Sequence, residues 1–329
     1  MSSPPPRTYL DLIKICDNFA DIDIPKTPYA EPPGHVFYQL LLPNDPRPHG
    51  FLLPDIVAKM PWTADFKVSA ADARPRTVEV LDFSNGQNTR DAVNAALADV
   101  VQKAVEAGTF ASLTRWRSTE DFRIPGARYP YIRLRRAAAG LFGIASLGAH
   151  MTMYTRTPEG EIKIWVPRRS AHLSTYPGKL DSTVAGGIRA DESPFECILH
   201  EAEEEASIPK YLVQQLAKPC GAITYIFTSD PGAGQEHGIM APVVLYVYDM
   251  EVDHTVTPKP QDDEVQEFCL WDVQQIKEAM FRGEFKTNCA SVMIDFFIRH
   301  GIITDDNEPD YLEILTRLHR PLPVPTSAR

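Results

Sequence analysis

Residues 186–208 constrain the fold of this chain more than any other segment, because they read GGIRADESPFECILHEAEEEASI. A glycine pair leads to Ser193 and Pro194, and Glu196 stands three residues beyond the serine. Serine at the N-cap, proline at the first helical position and glutamate at the third form a capping box, which favours a helix start. The segment therefore predicts a loop followed by a helix over residues 194–206.

The predicted helix has one apolar face and one acidic face. Glu201, Glu204 and Glu205 fall on one stripe at about 100° per residue, whereas Glu203 points away. The like charges of Glu201 and Glu205, four residues apart, destabilise a helix by about 0.2–0.5 kcal/mol. A bound cation would turn this repulsion into attraction, and carboxylates without Cys or His partners suit Mg²⁺ or Mn²⁺. The three glutamates are predicted to bind metal; a solvated acidic face is the alternative. The adjacent apolar stripe comprises Phe195, Ile198, Leu199, Ala202 and Ala206.

Two short patterns could bind the phosphates of a substrate. Gly186 and Gly187 have no side chain, so the backbone could approach a metal-bound diphosphate closely, although turn geometry alone also explains them. Arg168 and Arg169 follow a predicted strand, and a guanidinium group binds phosphate oxygens in a bidentate way. Surface charge is the alternative for the arginine pair. All four residues are predicted to bind substrate.

Composition excludes several classes of function. The 329 residues carry a net charge of −11, from 33 basic and 44 acidic residues, and no basic stripe occurs, so nucleic acid is not an expected partner. A small-molecule diphosphate remains possible. The five cysteines are scattered without a CxxC pair, which predicts reduced thiols and a cytoplasmic location. No apolar run approaches the roughly 18 residues of a membrane span, so no membrane association is expected.

The chain is predicted to contain two domains and a tail. Residues 1–135 predict a small α+β accessory domain with stiff, proline-rich connections and no catalytic motif. Residues 136–305 predict an α/β domain, in which strands surround the glutamate helix and further helices follow. Residues 306–329 predict a last helix and a Pro-rich tail without order. Helices are predicted at residues 9–19, 89–107, 194–206, 273–281, 288–299 and 310–318, strands at residues 35–42, 77–83, 141–157, 161–166, 222–227, 242–251 and 268–271, and a mobile loop at residues 228–241.

The glutamate segment resembles the Nudix box, whose pattern is Gly, five residues, Glu, seven residues, then Arg-Glu-apolar-any-Glu-Glu-any-Gly-apolar. Gly186 and Glu192 fit its start. His200 stands where the family usually has Arg, and Ser207 stands where it has Gly. The end of the pattern is matched by Glu201, Ala202, Glu204, Glu205 and Ile208. The resemblance implies the α/β/α sandwich of the Nudix fold, with a mixed sheet and a divalent metal, and a hydrolase acting on phosphorus-containing anhydrides.

Nudix enzymes often supply one more carboxylate from the stretch that precedes the last strand of the sheet. In this chain that stretch is residues 262–267, which read DDEVQE. Glu264 is our first choice for a further metal ligand or general base, and Glu267 is the second, expected near the substrate. The alternative is a solvated acidic loop. The implied catalytic residues are Glu201, Glu204 and Glu264.

Three segments, before and within the box, together resemble a narrower group, the fungal and plant Nudix proteins related to thiamine pyrophosphokinase. They read IWVPRRS at residues 164–170, YPGKLDSTVAGGI at 176–188 and ECILHEAEEEASIP at 196–209. This resemblance implies an extra N-terminal domain without a known catalytic motif. It also implies hydrolysis of thiamine diphosphate analogues, with damaged oxo and oxy forms preferred, to the monophosphate and phosphate.

Two other functions stay open. The chain could be a Nudix pyrophosphatase that acts on an oxidised nucleoside triphosphate or a nucleotide sugar, since the box does not identify the organic half of the substrate. It could also be a non-catalytic Nudix-fold sensor, although a sensor has no need for three intact glutamates. The N-terminal region could close over the substrate ring or could only support the catalytic domain.

Overall fold

The structure, a computed structural model, describes residues 8–19, 37–115, 119–229 and 236–328. These residues form a four-stranded sheet, a six-stranded sheet and a two-stranded ribbon. The strands are β1 (Tyr38–Leu42), β2 (Asp45–Leu52), β3 (Phe66–Val68), β4 (Arg76–Val80), β5 (Asp121–Arg123), β6 (Arg133–Arg135), β7 (Ser146–Arg156), β8 (Ile162–Arg169), β9 (Val184–Gly187), β10 (Ala217–Thr228), β11 (Met240–Glu251) and β12 (Val265–Asp272). The helices are α1 (Tyr9–Cys16), α2 (Pro54–Lys59), α3 (Thr89–Glu106), α4 (Ala111–Arg115), α5 (Ala139–Phe142), α6 (Pro194–Ala206), α7 (Lys210–Leu216), α8 (Val273–Phe281), α9 (Thr287–Arg299) and α10 (Tyr311–Leu318), and a 3₁₀ turn spans Arg136–Ala138.

The six-stranded sheet is mixed. Its order is β10-β11-β7-β8-β12, and β9 pairs with residues 148–151 of β7. β11 and β7 run parallel, whereas the other paired strands run antiparallel. The predicted hairpin of β7 and β8 forms because Gly160 donates its N–H to the carbonyl of Thr157, which closes a tight turn (2.8 Å). Residues 230–235 of the mobile loop predicted at residues 228–241 lie outside the described residues, whereas Thr228 ends β10 and Met240 begins β11.

Helices cover both faces of this sheet. On one face, α1, α8, α9 and α10 pack around strand residues such as Ile164 and Leu245. On the other face, α6 and α7 pack against Met151 and Met250. The predicted α/β/α sandwich is therefore confirmed. In the part of the chain that the structure describes, no helix is both long and apolar enough to cross a bilayer.

The four-stranded sheet belongs to the N-terminal region and has the order β2-β1-β4-β3. The long helix α3 packs on it and shares its apolar core. The stiff, proline-rich connections predicted within residues 1–135 included Pro46 and Pro48, and for these two residues the prediction is wrong, because both lie in β2. β2 is an edge strand, and proline is tolerated there since one side of an edge strand needs no N–H donor.

Both ends of the described chain pack across the boundary between the two predicted domains. Ile13 of α1 is buried in the core of the six-stranded sheet, although residues 1–135 were expected to form their own unit. The prediction of a disordered C-terminal tail is wrong: Val324 is buried beside Phe51, and Arg47 donates to the carbonyl of Ser327 (2.9 Å). The arginine and the apolar contact order the tail. The domain boundaries stay a prediction.

Candidate active site

Helix α6 begins and ends at the residues expected from its sequence. Ser193 accepts a hydrogen bond from the N–H of Glu196 (3.2 Å), and Glu196 accepts one from the N–H of Ser193 (2.8 Å). At the other end Ser207 adopts a left-handed conformation with φ of 54°, which is the position where the box usually has glycine. The apolar stripe points into the sheet, with Ile198 and Ala202 buried. This packing fixes the direction of the acidic stripe.

The acidic stripe faces β9. Glu205 accepts the N–H of Ala185 on that strand (3.2 Å). A Cβ at Gly186 would lie 2.5 Å from the Cδ of Glu201, a distance that real Cβ atoms do not reach. Gly186 therefore provides the space that the Glu201 carboxylate occupies. This is a steric reason for glycine at the start of the box, and it brings two glutamates beside the same strand.

The electrostatics of these carboxylates favour a bound cation. Burial raises the pKa of Glu201 to about 7, and the nearby carboxylates of Glu204 and Glu264 add to the rise. Burial also raises the pKa of Glu205 well above its usual range, with further contributions from Glu201 and Asp181. A strongly shifted group among like charges is typical of a functional site. Oxygen donors that repel one another suit a hard divalent cation such as Mg²⁺, so the residues fit such an ion.

His200 occupies the position of the usual arginine and contacts two box carboxylates. Its Nε2 lies 2.8 Å from Oε1 of Glu204, one helical turn further along. Its Nδ1 lies 3.8 Å from Oε1 of Glu192 and has no hydrogen-bond partner among the described residues. The histidine thus links the loop glutamate to the helix glutamate, which is the kind of contact expected of the missing arginine.

Glu264 lies close to the box glutamates, as the sequence predicts. Its carboxylate contributes to the raised pKa of both Glu201 and Glu205. Its carbonyl accepts the N–H of Ser170, which joins the acidic loop to the end of β8 (2.8 Å). Glu264 is also exposed to solvent. It is therefore placed at the open edge of the acidic cluster.

The arginine pair predicted to bind phosphate makes contacts within the protein. Arg169 lies 3.0 Å from the Asp181 carboxylate, and only 13% of its side chain is exposed. Arg168 donates to the carbonyl of Gly178 (3.0 Å) and lies 3.4 Å from the carboxylate of Glu267. Glu267 thus neutralises Arg168. The described contacts connect neither arginine with the glutamates of α6, and their role in substrate binding stays a prediction.

Two other arginines, which the sequence reasoning missed, lie beside the glutamates. Arg189 is 3.1 Å from Glu120 and 3.8 Å from Glu192, and Arg136 is 2.8 Å from Glu120. Both guanidinium groups oppose the rise in the pKa of Glu201, so both are close to it. Arg189 could have been noticed because it lies between Gly186 and Glu192. No pattern in the sequence connects Arg136 with the box.

A second polar cluster lies buried beneath the glutamates. His150, Asp181 and Cys289 present ligand-type atoms within 4.8 Å of one another. However, Asp181 already lies 3.0 Å from Arg169 and 3.3 Å from the ammonium group of Lys286. Burial alone would raise the pKa of Asp181, but Lys286 and Arg169 hold it well below its usual range. Two cations already neutralise this carboxylate, so the cluster is better explained as a structural network than as a metal site.

Comparisons with known proteins agree with this geometry. The family described as NUDIX domain matches residues 148–289. The uncharacterized protein YJR142W of Saccharomyces cerevisiae is 37% identical over 238 residues, which cover 71% of this chain and 69% of that protein. Nudix hydrolase 20, chloroplastic, of Arabidopsis thaliana is 36% identical over 208 residues, covering 59% of this chain and 53% of the plant protein. The chain thus spans about half the length of this plant relative.

Among solved structures, a C. elegans Ap4A hydrolase binary complex is 12% identical and has a TM-score of 0.35, covering 48% of this chain and 100% of that chain.

Residues 148–289, which match the NUDIX domain family, contain the six-stranded sheet from β7 to β12, the glutamate helix and the start of α9. The prediction of a Nudix protein, made from the box alone, is confirmed. The chain belongs to the Nudix hydrolase family and is a hydrolase of phosphorus-containing anhydrides.

Proposed function

We propose that this hydrolase is a metal-dependent diphosphatase of thiamine diphosphate analogues, which prefers damaged oxo and oxy forms and releases the monophosphate and phosphate. The observation that carries the diphosphatase part is the convergence of four carboxylates. Glu201, Glu204, Glu205 and Glu264 interact electrostatically around the strand that begins the box. Such a cluster is stabilised by divalent cations, and divalent cations bind diphosphate oxygens.

Each group has a distinct role in the proposed mechanism. Glu201, Glu204 and Glu205 hold the cation, which we take to be Mg²⁺, with Mn²⁺ as a substitute. When bound, such an ion neutralises phosphate charge and acidifies water. Glu264, at the open edge of the cluster, accepts the proton of the attacking water, and a box glutamate is the alternative base. Glu192 anchors the loop through its contacts with His200 and Arg189.

The thiamine part rests on the sequence resemblance outside the box. The segment IWVPRRS covers most of β8, and LDSTVAGGI leads through β9 into the glycine pair. These segments border the catalytic cluster and are therefore suited to line the pocket that binds the substrate. The cytoplasmic location predicted from the scattered cysteines belongs to the same proposal; the names of two plant relatives place those proteins in the chloroplast.

A phosphate-release assay tests the proposal. Purified protein with Mg²⁺ is offered thiamine diphosphate, its oxo and oxy analogues, nucleoside triphosphates, a nucleotide sugar and ADP-ribose. We expect the highest kcat/KM with the damaged thiamine diphosphates. Faster cleavage of a nucleotide would overturn the thiamine assignment and retain the diphosphatase. Binding of one compound without cleavage of any would overturn the diphosphatase. Glu205→Gln is the matched inactive control.

A further inference from the structure

We propose that the ribbon β5–β6 of the N-terminal region forms one wall of the active site, and that Arg136, held by Glu120, anchors a phosphate of the substrate. This inference rests on the diphosphatase activity proposed above. It assigns a binding role to a residue outside the matched residues 148–289. It also gives the N-terminal region a function in recognition of the substrate.

The ribbon is hydrogen-bonded to the loop of the box. The N–H of Ala190 donates to the carbonyl of Asp121 on β5 (2.9 Å). In the reverse direction, Nε of Arg123 donates to the carbonyl of Ala190 (2.9 Å). The ion pair between Arg189 and Glu120 adds a third link (3.1 Å). These contacts fix the ribbon against the segment that positions the catalytic glutamates.

The second glycine of the box provides the space for this contact. A Cβ at Gly187 would lie 3.1 Å from the Phe122 ring and 3.4 Å from Cζ of Arg136. The preceding Gly186 makes room for Glu201 on the side of α6. The two glycines therefore separate two partners: the first admits a helix carboxylate, and the second admits the ribbon. This explains the second glycine, which the box pattern does not require.

Arg136 is held in position and remains partly exposed. Its guanidinium lies 2.8 Å from Glu120 and 5.3 Å from the centroid of the Phe122 ring. Glu120 contacts both Arg136 and Arg189, and Arg189 also lies 3.8 Å from Glu192 of the box. About a third of the Arg136 side chain is exposed (32%). A fork of N–H donors that is fixed beforehand binds a phosphate with less loss of side-chain entropy.

Position favours Arg136 and Arg189 over the arginines at the end of β8. Arg169 is nearly buried against Asp181, Arg168 pairs with Glu267, and neither has a described contact with the glutamates of α6. Arg136, by contrast, lies beside Gly187, next to the Gly186 that faces Glu201, and Arg189 lies 3.8 Å from Glu192 of the box. A diphosphate held at the glutamates would place its phosphates within the field of these two cations. The recognised chemistry is the set of negatively charged phosphate oxygens of a diphosphate.

Binding of methylenediphosphonate, a diphosphate analogue that cannot be hydrolysed, tests this inference by isothermal titration calorimetry with Mg²⁺. Arg136→Met keeps a long, flexible side chain beside the Phe122 ring but removes the charge. A charge-assisted hydrogen bond contributes about 1.5–3 kcal/mol, so we expect Kd to rise roughly 10- to 100-fold. Arg136→Lys, which keeps the charge without the fork, should give an intermediate Kd.

The matched control lies on the same ribbon. Arg133→Met removes an equal charge from β6, where Arg133 pairs with Asp121 (3.2 Å) and borders a cavity of about 560 Å³ between the ribbon and α3. We expect this variant to bind the analogue as the wild type does. If both variants bind the analogue equally weakly, the loss of any positive charge on the ribbon explains the effect, and the anchor is overturned. Circular dichroism melting confirms that each variant is folded.

Two failures are distinguishable. If the wild type binds the analogue and Arg136→Met binds it equally well, the anchor is refuted and the diphosphatase proposal stands. If the wild type neither binds the analogue nor cleaves any diphosphate, the diphosphatase proposal fails and the anchor fails with it. With the preferred substrate, Arg136→Met should raise KM roughly 10-fold or more and leave kcat nearly unchanged, because the contact exists in both the bound and the transition state.

Discussion

Asp181 and the glutamates of α6 lie close together, but their surroundings differ in charge. Asp181 is flanked by Arg169 and Lys286, which hold its pKa well below the usual range. Glu201 and Glu205 are flanked chiefly by other carboxylates, and their pKa values are raised. A buried carboxylate with its own cations stabilises a fold only as part of that network. A buried carboxylate that the protein's own cations do not neutralise is typical of a site where a bound ligand supplies the positive charge.

The comparison predicts opposite results for two isosteric substitutions, and the larger effect is on stability. Asp181→Asn leaves Arg169 and Lys286 buried without their partner, which should cost about 3–5 kcal/mol of unfolding free energy. Urea unfolding measures the loss. Asp263→Asn is the control, because Asp263 is largely exposed (89%) and its carboxylate lies 3.4 Å from His172. If Asp181→Asn loses no more unfolding free energy than the control, the network does not have the structural role assigned to it.

The second substitution should affect turnover and not stability. Glu205→Gln can still accept the N–H of Ala185, so the local fold is kept. It removes a charge that would hold the cation, and turnover should fall roughly 100-fold or more, about 2.7 kcal/mol in the barrier. Without metal the variant should be at least as stable as the wild type, because one buried like charge is gone. Glu204→Gln should show the same loss of turnover. Near-normal turnover in either variant would refute the metal assignment.

Local patterns account for what could be predicted of the glutamate centre. The capping box, the apolar stripe and the acidic stripe all lie within the 23 residues 186–208, and helix α6 has the predicted bounds. The same holds for α3 and α8, whose starts agree with their amphipathic patterns. In each case the interactions that determine where the helix begins join residues close in sequence. They can therefore be recognised in the sequence without knowledge of the fold.

The parts that could not be predicted depend on distant residues. Pro46 and Pro48 indicated an irregular segment, and only the position of β2 at a sheet edge permits a strand there. The short strands of the ribbon, β5 and β6, have three residues each, too few for a periodic signal. Arg136 reaches the box through that ribbon. The tail is ordered by Arg47, 280 residues away from its partner Ser327.

A third prediction concerns metal binding itself. A ligand that binds only the folded state at about ten times its Kd stabilises it by about 1.4 kcal/mol. Mg²⁺ should therefore raise the melting temperature of the wild type and of Asp181→Asn by a similar amount. Glu205→Gln should gain less at the same Mg²⁺ concentration. Calorimetric melting with Mg²⁺ and with a chelator measures the gains. An equal gain in Glu205→Gln would show that the ion binds elsewhere.

The smallest predicted effect is a change of stability with pH, and it tests the buried network around Asp181. Burial lowers the pKa of His150 from 6.5 to about 4, and Lys286 contributes to the shift. Below about pH 6.5 the unfolded chain therefore binds the proton more readily, and stability is lost as the pH falls. Asp181, Lys286 and Cys289 face the histidine. Their pKa values are shifted away from this range: that of Asp181 below its usual value, that of Cys289 above it and that of Lys286 to about 12.

His150→Asn isolates this contribution, because asparagine can keep the contact with Ser182 (2.9 Å in the wild type) without titrating. Glu201, whose pKa is raised to about 7, also gains a proton in this range, but it does so in both proteins and cancels in the difference. Between about pH 7 and about pH 5.5 the wild type should lose about 1 kcal/mol more unfolding free energy than the variant. Urea titrations at both pH values measure it. Parallel losses would mean that His150 is protonated in the folded state, and the network would then need a second negative charge beside Asp181.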